Sequence, residues 1–165
     1  MKKRASFVKR LMLISSVVFM SAFVFSSCDK DDDNNNNNTT TMYNISGNAS
    51  GTQVVPSVSG SGTASITGTY NTNTKVLTYT TNWTTLTGAP TMGAFYTGAS
   101  GTNGTIVGSN WTLGSGLTAT GTFSSTATLT DAQQASLLAG NLYYVLGTST
   151  NASGEVRGQI TATPQ

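Results

Sequence analysis

The chain has no histidine, a single cysteine, Cys28, and only eight lysines and arginines against six aspartates and glutamates in 165 residues. Without histidine, the common base for activating a catalytic serine is missing. With one cysteine besides, an N/S-type transition-metal site cannot be assembled. Charge is scarcer still downstream, where residues 43–165 carry only Lys75, Asp131, Glu155 and Arg157. Nucleic-acid binding rests on clustered Lys and Arg that neutralise phosphates, and this stretch has none. General acid-base chemistry needs titratable groups placed together. Glycoside hydrolysis usually uses two carboxylates about 5 to 9.5 Å apart, for which Asp131 and Glu155 are the one candidate pair. The domain therefore reads as non-catalytic, with no cofactor and no metal site expected.

What is present begins with an address. Lys2, Lys3, Arg4, Lys9 and Arg10 precede the apolar stretch 11–25, and Ser26-Ser27 follow. That is the order of a secretory signal peptide, and the stretch is shorter than the roughly 20 residues that span a bilayer. Residues 1–27 are read as the signal. Phe25-Ser26-Ser27-Cys28 resembles the lipobox of bacterial lipoproteins, although Phe25 stands where that motif usually has an aliphatic residue. The resemblance implies cleavage before Cys28 and acylation of its sulfur and its amino group, by palmitate-type chains. One chain binds a membrane only marginally, whereas several hold it firmly. Lys30-Asp31-Asp32 is similar to the lipoprotein export signal of the Bacteroidetes, which implies an outer-membrane lipoprotein exposed at the cell surface. Residues 28–42, acidic and asparagine-rich, lack the apolar partners that offset ordering entropy, so they read as a solvated tether. From residue 28 onward three basic residues face six acidic ones, a net of −3.

Residues 43–165 contain all 18 glycines and are dense in Thr, Ser and Asn, so turns are frequent and helix propensity is low. Ala64, Ile66 and Gly68 alternate with polar neighbours, and Leu77, Tyr79 and Trp83 share one side of a second run. Asn71-Thr72-Asn73-Thr74 between them has the residues of a hairpin connection. Further strands are predicted over 43–49, 92–97, 105–107, 117–124, 142–148 and 155–162. Thr130-Asp131-Ala132-Gln133 fits a capping box and Gly140 a C-terminal cap, so one short helix is predicted, with Leu137 and Leu138 facing the sheets. Asp131 is then most simply a helix-start residue. Many short strands with turns between them predict an all-β fold, an antiparallel β-sandwich or barrel.

The order of segments carries a further resemblance. Gly51-Thr52-Gln53-Val54-Val55-Pro56, Gly62-Thr63-Ala64, the run from Leu137 to Tyr143 and the closing Gly154-Glu155-Val156-Arg157-Gly158-Gln159 together resemble the CHRD domain. That family implies an immunoglobulin-like β fold outside the cell. It usually shows a His-Ile-His triplet where Ala94-Phe95-Tyr96 stands here, and a further histidine at Gly147. Any metal role of those histidines does not carry over. Phe95 and Tyr96, occupying the departed positions, are candidate binding residues, together with Tyr144, Glu155 and Arg157. Glu155 and Arg157, two apart on a strand, are expected on one face, as a structural ion pair or hydrogen-bond anchor or as a partner contact. Adjacent Tyr143 and Tyr144 are expected on opposite faces, with at least one exposed; the other aromatics, Trp83 and Trp111 among them, suit core packing. The functional expectation is a surface-anchored lipoprotein, held by lipid on Cys28, acting as a binding or adhesion module toward an extracellular protein or glycan. Its alternative is a structural cell-envelope protein without a discrete ligand site.

Overall fold

The computed structural model describes residues 41–165. Cys28, the export signal at Lys30, Asp31 and Asp32, and the signal peptide lie outside the described residues. Nine strands form one sheet: β1 (Met42–Ser50), β2 (Thr63–Asn71), β3 (Val76–Thr84), β4 (Pro90–Thr97), β5 (Thr105–Val107), β6 (Gly121–Thr128), β7 (Leu142–Thr148), β8 (Val156–Gln159) and β9 (Thr161–Pro164). Their order is β5-β4-β7-β8-β1-β2-β3-β6, with β9 also on β1, and every pairing is antiparallel. The fold is all-β with one short helix.

Alternation decides which side chains go inward. In β3, Leu77, Tyr79, Thr81 and Trp83 are buried and the residues between them are not. The β2–β3 hairpin forms at the expected place, where Asn71 Oδ1 accepts from the backbone N–H of Asn73 and Thr74. Such an Asx turn is what a short polar side chain does at a chain reversal. Lys75 completes it at φ 57°.

Tyr79 of β3 and Phe95 of β4 meet edge to face with ring centroids 4.9 Å apart, although their strands stand near opposite ends of the order. The sheet therefore curls into a half-barrel around one core. The gap between the edge strands β5 and β6 is filled by Trp111, stacked on Phe123 at 5.6 Å and set edge-on to Phe95 at 5.0 Å. Gly93 makes this possible, because a Cβ there would lie 2.4 Å from Trp111 Cε3.

Helix α1 (Asp131–Leu138) carries the predicted capping box: Gln133 N donates to Thr130 Oγ1 at 3.3 Å and Thr130 N to Gln133 Oε1 at 2.9 Å. Gly140 ends the segment at φ 71°, the left-handed conformation that favours glycine. Leu137 is fully buried, but Leu138 is 38% exposed. A helix lying on a sheet by one stripe shelters only one of two adjacent leucines, which corrects the expectation for Leu138.

Strand boundaries also differ. The segment expected over 117–124 is strand only from Gly121, because Thr118 Oγ1 folds back onto Thr120 O at 2.6 Å. The segment expected over 155–162 is two strands. Ile160, whose N–H donates to Leu142 O at 2.8 Å, separates β8, which lies between β7 and β1, from β9, which pairs with β1.

Candidate functional site

Every residue of β7, Leu-Tyr-Tyr-Val-Leu-Gly-Thr, is buried. A strand covered on both faces needs a second layer behind it. Leu142, Tyr144 and Leu146 belong to the main core. Tyr143 and Val145 point the other way, toward a small cavity of about 200 Å³ walled by Val54, Val55, Asn103 and Gly104 and floored by Tyr96, Tyr143 and Arg157. Asn103 Nδ2 donates to Val55 O at 2.9 Å and ties the two walls together.

Arg157 is 2% exposed. Its guanidinium carbon lies 3.6 Å from the centroid of the Tyr143 ring. Tyr96, opposite Tyr143 in the β4–β7 register, stacks on the same ring at 5.4 Å and 13°. Because β4 and β8 flank β7 on opposite sides, Tyr143 is sandwiched between Tyr96 and the cation. A desolvated cation over a tyrosine face contributes on the order of 2 kcal/mol. The Tyr143 hydroxyl accepts from Gly104 N at 3.0 Å, which holds the covering loop. Burial, reinforced by Tyr143, pushes the Tyr96 hydroxyl upward in pKa.

The hydrogen bonding of Arg157 is incomplete. Nη2 donates to Ala99 O at 2.9 Å, whereas Nη1 is buried with no partner. Among the described residues the one salt bridge is Lys75 with Asp131, on the surface. Arg157 therefore lacks a counter-ion. Burying a guanidinium is costly unless each N–H is satisfied, and here the Tyr143 ring and Ala99 O supply what compensation the structure shows.

Glu155, expected on the same face, goes elsewhere. It precedes β8 and is 2% exposed. Its Oε1 accepts from Thr87 N at 2.7 Å, and its Oε2 accepts from the hydroxyls of Thr148, at 2.6 Å, and Thr87. Burial alone would raise this carboxyl, but hydrogen bonds from Thr148, Thr87 and Asn151 more than offset it and hold the pKa below the ordinary carboxylate value. Of the two bland readings, the hydrogen-bond anchor holds and the ion pair with Arg157 does not form. Glu155 has no free face to offer a partner.

The other sequence candidates divide by strand parity. Phe95 is 2% exposed and Tyr144 0%, both within the core cluster. They are core residues, and each sits one step out of phase with the face of this cavity. Only Tyr96 and Arg157 of the expected set reach the cavity. Tyr143 is the residue the set lacked, and neither it nor Tyr144 is exposed. Its signal was the one-residue offset from Tyr144, which puts it opposite Tyr96. At Gly147 an added Cβ would meet Ala152 O at 2.8 Å and Asn151 O at 3.1 Å. The loop after β7 thus occupies the space that a side chain at this position would need. Among the described residues there is no cluster of metal-ligating side chains.

Comparison with known proteins agrees with this architecture. The family model for the CHRD domain matches residues 45–160, which run from β1 to the residue between β8 and β9. No curated protein and no solved structure matches the chain. A CHRD domain suggests a binding-type module. With that match covering most of its length, the chain belongs to the CHRD domain family.

Proposed function

We propose that this protein is a surface-anchored lipoprotein whose CHRD domain is a non-catalytic binding or adhesion module for an extracellular protein or glycan. The observation that carries the binding reading is the cavity over β4, β7 and β8, where a buried arginine and a tyrosine pair converge. The anchoring reading rests on the sequence around Cys28 and on Lys30-Asp31-Asp32. The purified full chain, immobilised and exposed to a panel of extracellular glycans and proteins, should give saturable binding that Tyr96→Ala weakens. Absence of any saturable partner would favour the structural-envelope alternative. Protease added to intact cells should remove the domain while a periplasmic control protein survives. Survival of both, with cleavage on lysis, would sink the surface assignment.

A further inference from the structure

We infer that the free edge of β6 is a self-association surface, on which a second copy of this chain pairs its own β6 antiparallel about a two-fold axis at Ser125. The inference goes beyond the binding reading above and makes no use of the cavity at Arg157.

The two edge strands of the sheet are unequal. β5 has three residues, whereas β6 has eight, in unbroken register with β3. An exposed edge is ordinarily blunted by shortness, a charge, a proline, a bulge or a covering element. β5 is blunted by its length. β6 carries no charged residue and no proline, its pairing with β3 holds no bulge, and among the described residues no other strand pairs with it. The Leu129 N–H donates to Lys75 O in the same register. By alternation, the odd-numbered residues of β6 turn their backbone groups toward β3, and Thr122, Ser124, Thr126 and Thr128 turn theirs outward. All four are exposed.

These four residues match a copy of themselves. Pairing centred on Ser125 sets Thr122 opposite the second copy's Thr128 and Ser124 opposite its Thr126, so each outward N–H and C=O meets a partner. Centring on Ser124 leaves Thr128 unpaired, and centring on Thr126 leaves Thr122 unpaired. The outer side chains then extend a ladder already present, in which hydroxyls directly opposite one another bond across the strands: Thr63 with Thr84 at 3.0 Å, Thr80 with Ser124 at 2.8 Å and Thr97 with Thr105 at 2.9 Å. On the core side Phe123 and Ala127 are only half-buried and Ser125 is exposed, beside a cavity of about 310 Å³. The pairing covers them, with Phe123 against the second copy's Ala127. It is also closed, because one two-fold contact consumes both long edges and leaves only the short β5 edges free. One strand pair stands at the small end of interfaces, below roughly 1,200 Å², so the dimer is weak, with a Kd on the order of 100 μM.

Sedimentation equilibrium of the full chain should show monomer and dimer exchanging in that range. Ser125→Lys and Ser125→Glu put like charges face to face and should each weaken self-association about tenfold or more, while a 1:1 mixture of the two regains it. Near-ultraviolet circular dichroism of each variant, expected to match the wild type because Ser125 is exposed, separates lost pairing from lost folding. Under oxidation Ser125→Cys should form a disulfide between the two copies at position 125, since α-carbons in such a non-hydrogen-bonded pair lie about 4.5 Å apart. Mass spectrometry distinguishes that bridge from one at Cys28. A dimer that both charge variants leave unchanged has its contact elsewhere, and the β6 pairing is refuted. A dimer without the bridge at position 125 overturns the Ser125 axis, and association that continues past the dimer contradicts the closed arrangement. If the full chain stays monomeric at about 1 mM, ten times the expected Kd, the inference falls. The edge is then left to a foreign extended strand, and the binding reading is judged by the glycan and protein panel alone.

Discussion

Replacing Glu155 tests how this charge-poor interior holds a carboxylate. The side chain gathers the Thr87 N–H and the hydroxyls of Thr87 and Thr148 around its two oxygens. In Glu155→Ala the amide of Thr87 loses its acceptor outright, a cost of about 1–3 kcal/mol for a buried donor. The two hydroxyls lie 3.0 Å apart and can partly satisfy each other, so the whole loss should be about 3–5 kcal/mol. That is a large share of the roughly 5–15 kcal/mol that a domain has. Glu155→Gln is milder. Its amide oxygen can face the Thr87 N–H while its NH₂ donates to hydroxyls that rotate to accept, and about 1–2 kcal/mol is expected. The pH dependence separates the two terms. The folded carboxyl is held below its unfolded value, so on acidification the unfolded chain takes up its proton first. Stability from Glu155 is thus full above the unfolded pKa, near 4.3, and is lost as pH falls through the folded pKa. Urea unfolding followed by the fluorescence of Trp83, 1% exposed in the fold, measures each variant from about pH 3 to about pH 7. The wild type should lead Glu155→Gln at neutral pH and converge on it in acid. A Glu155→Ala protein within about 0.5 kcal/mol of wild type, or a gap to Glu155→Gln that does not narrow in acid, would refute the reasoning.

Three further substitutions probe the core and the helix packed on it. Burial pushes the Tyr79 hydroxyl up to about 12 from 10.0, so its stabilisation is full below pH 10 and should fall by roughly 2–3 kcal/mol as pH rises toward 12; the difference between wild type and Tyr79→Phe should therefore shift by that amount across this window, and a parallel pair of curves would contradict the burial. Leu137→Ala should cost about 2–5 kcal/mol in chemical denaturation while Leu138→Ala stays within about 0.5 kcal/mol, and equal effects would mean that α1 rests on the sheet by a different stripe.

The sequence discloses this fold where local chemistry is self-sufficient. The Asn71 turn and the Thr130–Gln133 capping box each close within a few residues, and both form as their side chains dictate. Alternation likewise places Leu77, Tyr79 and Trp83 inward. It fails at Thr118, where a hydroxyl bends the chain back before the strand starts, and at Ile160, where the stretch keeps β1 alongside but leaves β7. The boundary at Ile160 depends on which strands lie alongside, and no single segment contains that information. The site is legible by half for the same reason. Arg157 and Tyr96 stand out by type, but assigning Phe95 and Tyr144 to the core requires the cross-strand register, and pairing Arg157 with Tyr143 requires knowing that β8 follows β7 in the sheet. Glu155 misleads because its spacing from Arg157 implies a shared strand face, whereas β8 begins only at Val156.

The register of β1 also fixes how the domain can be held. Tyr43 pairs with Pro164 and Ser50 with Arg157, so β1 runs from the side where both described ends leave the sheet to the level of the arginine. Seven residues of strand at about 3.3 Å each separate these levels by roughly 23 Å. The Gln165 N–H donates to Met42 O at 2.9 Å, which clasps the two ends together. A linker joined at either end therefore grips the same pole of the molecule. The guanidinium lies toward the opposite pole, so a domain fixed to a sensor chip, a bead or a bilayer by its first or its last strand presents Arg157 on the side turned away from the support.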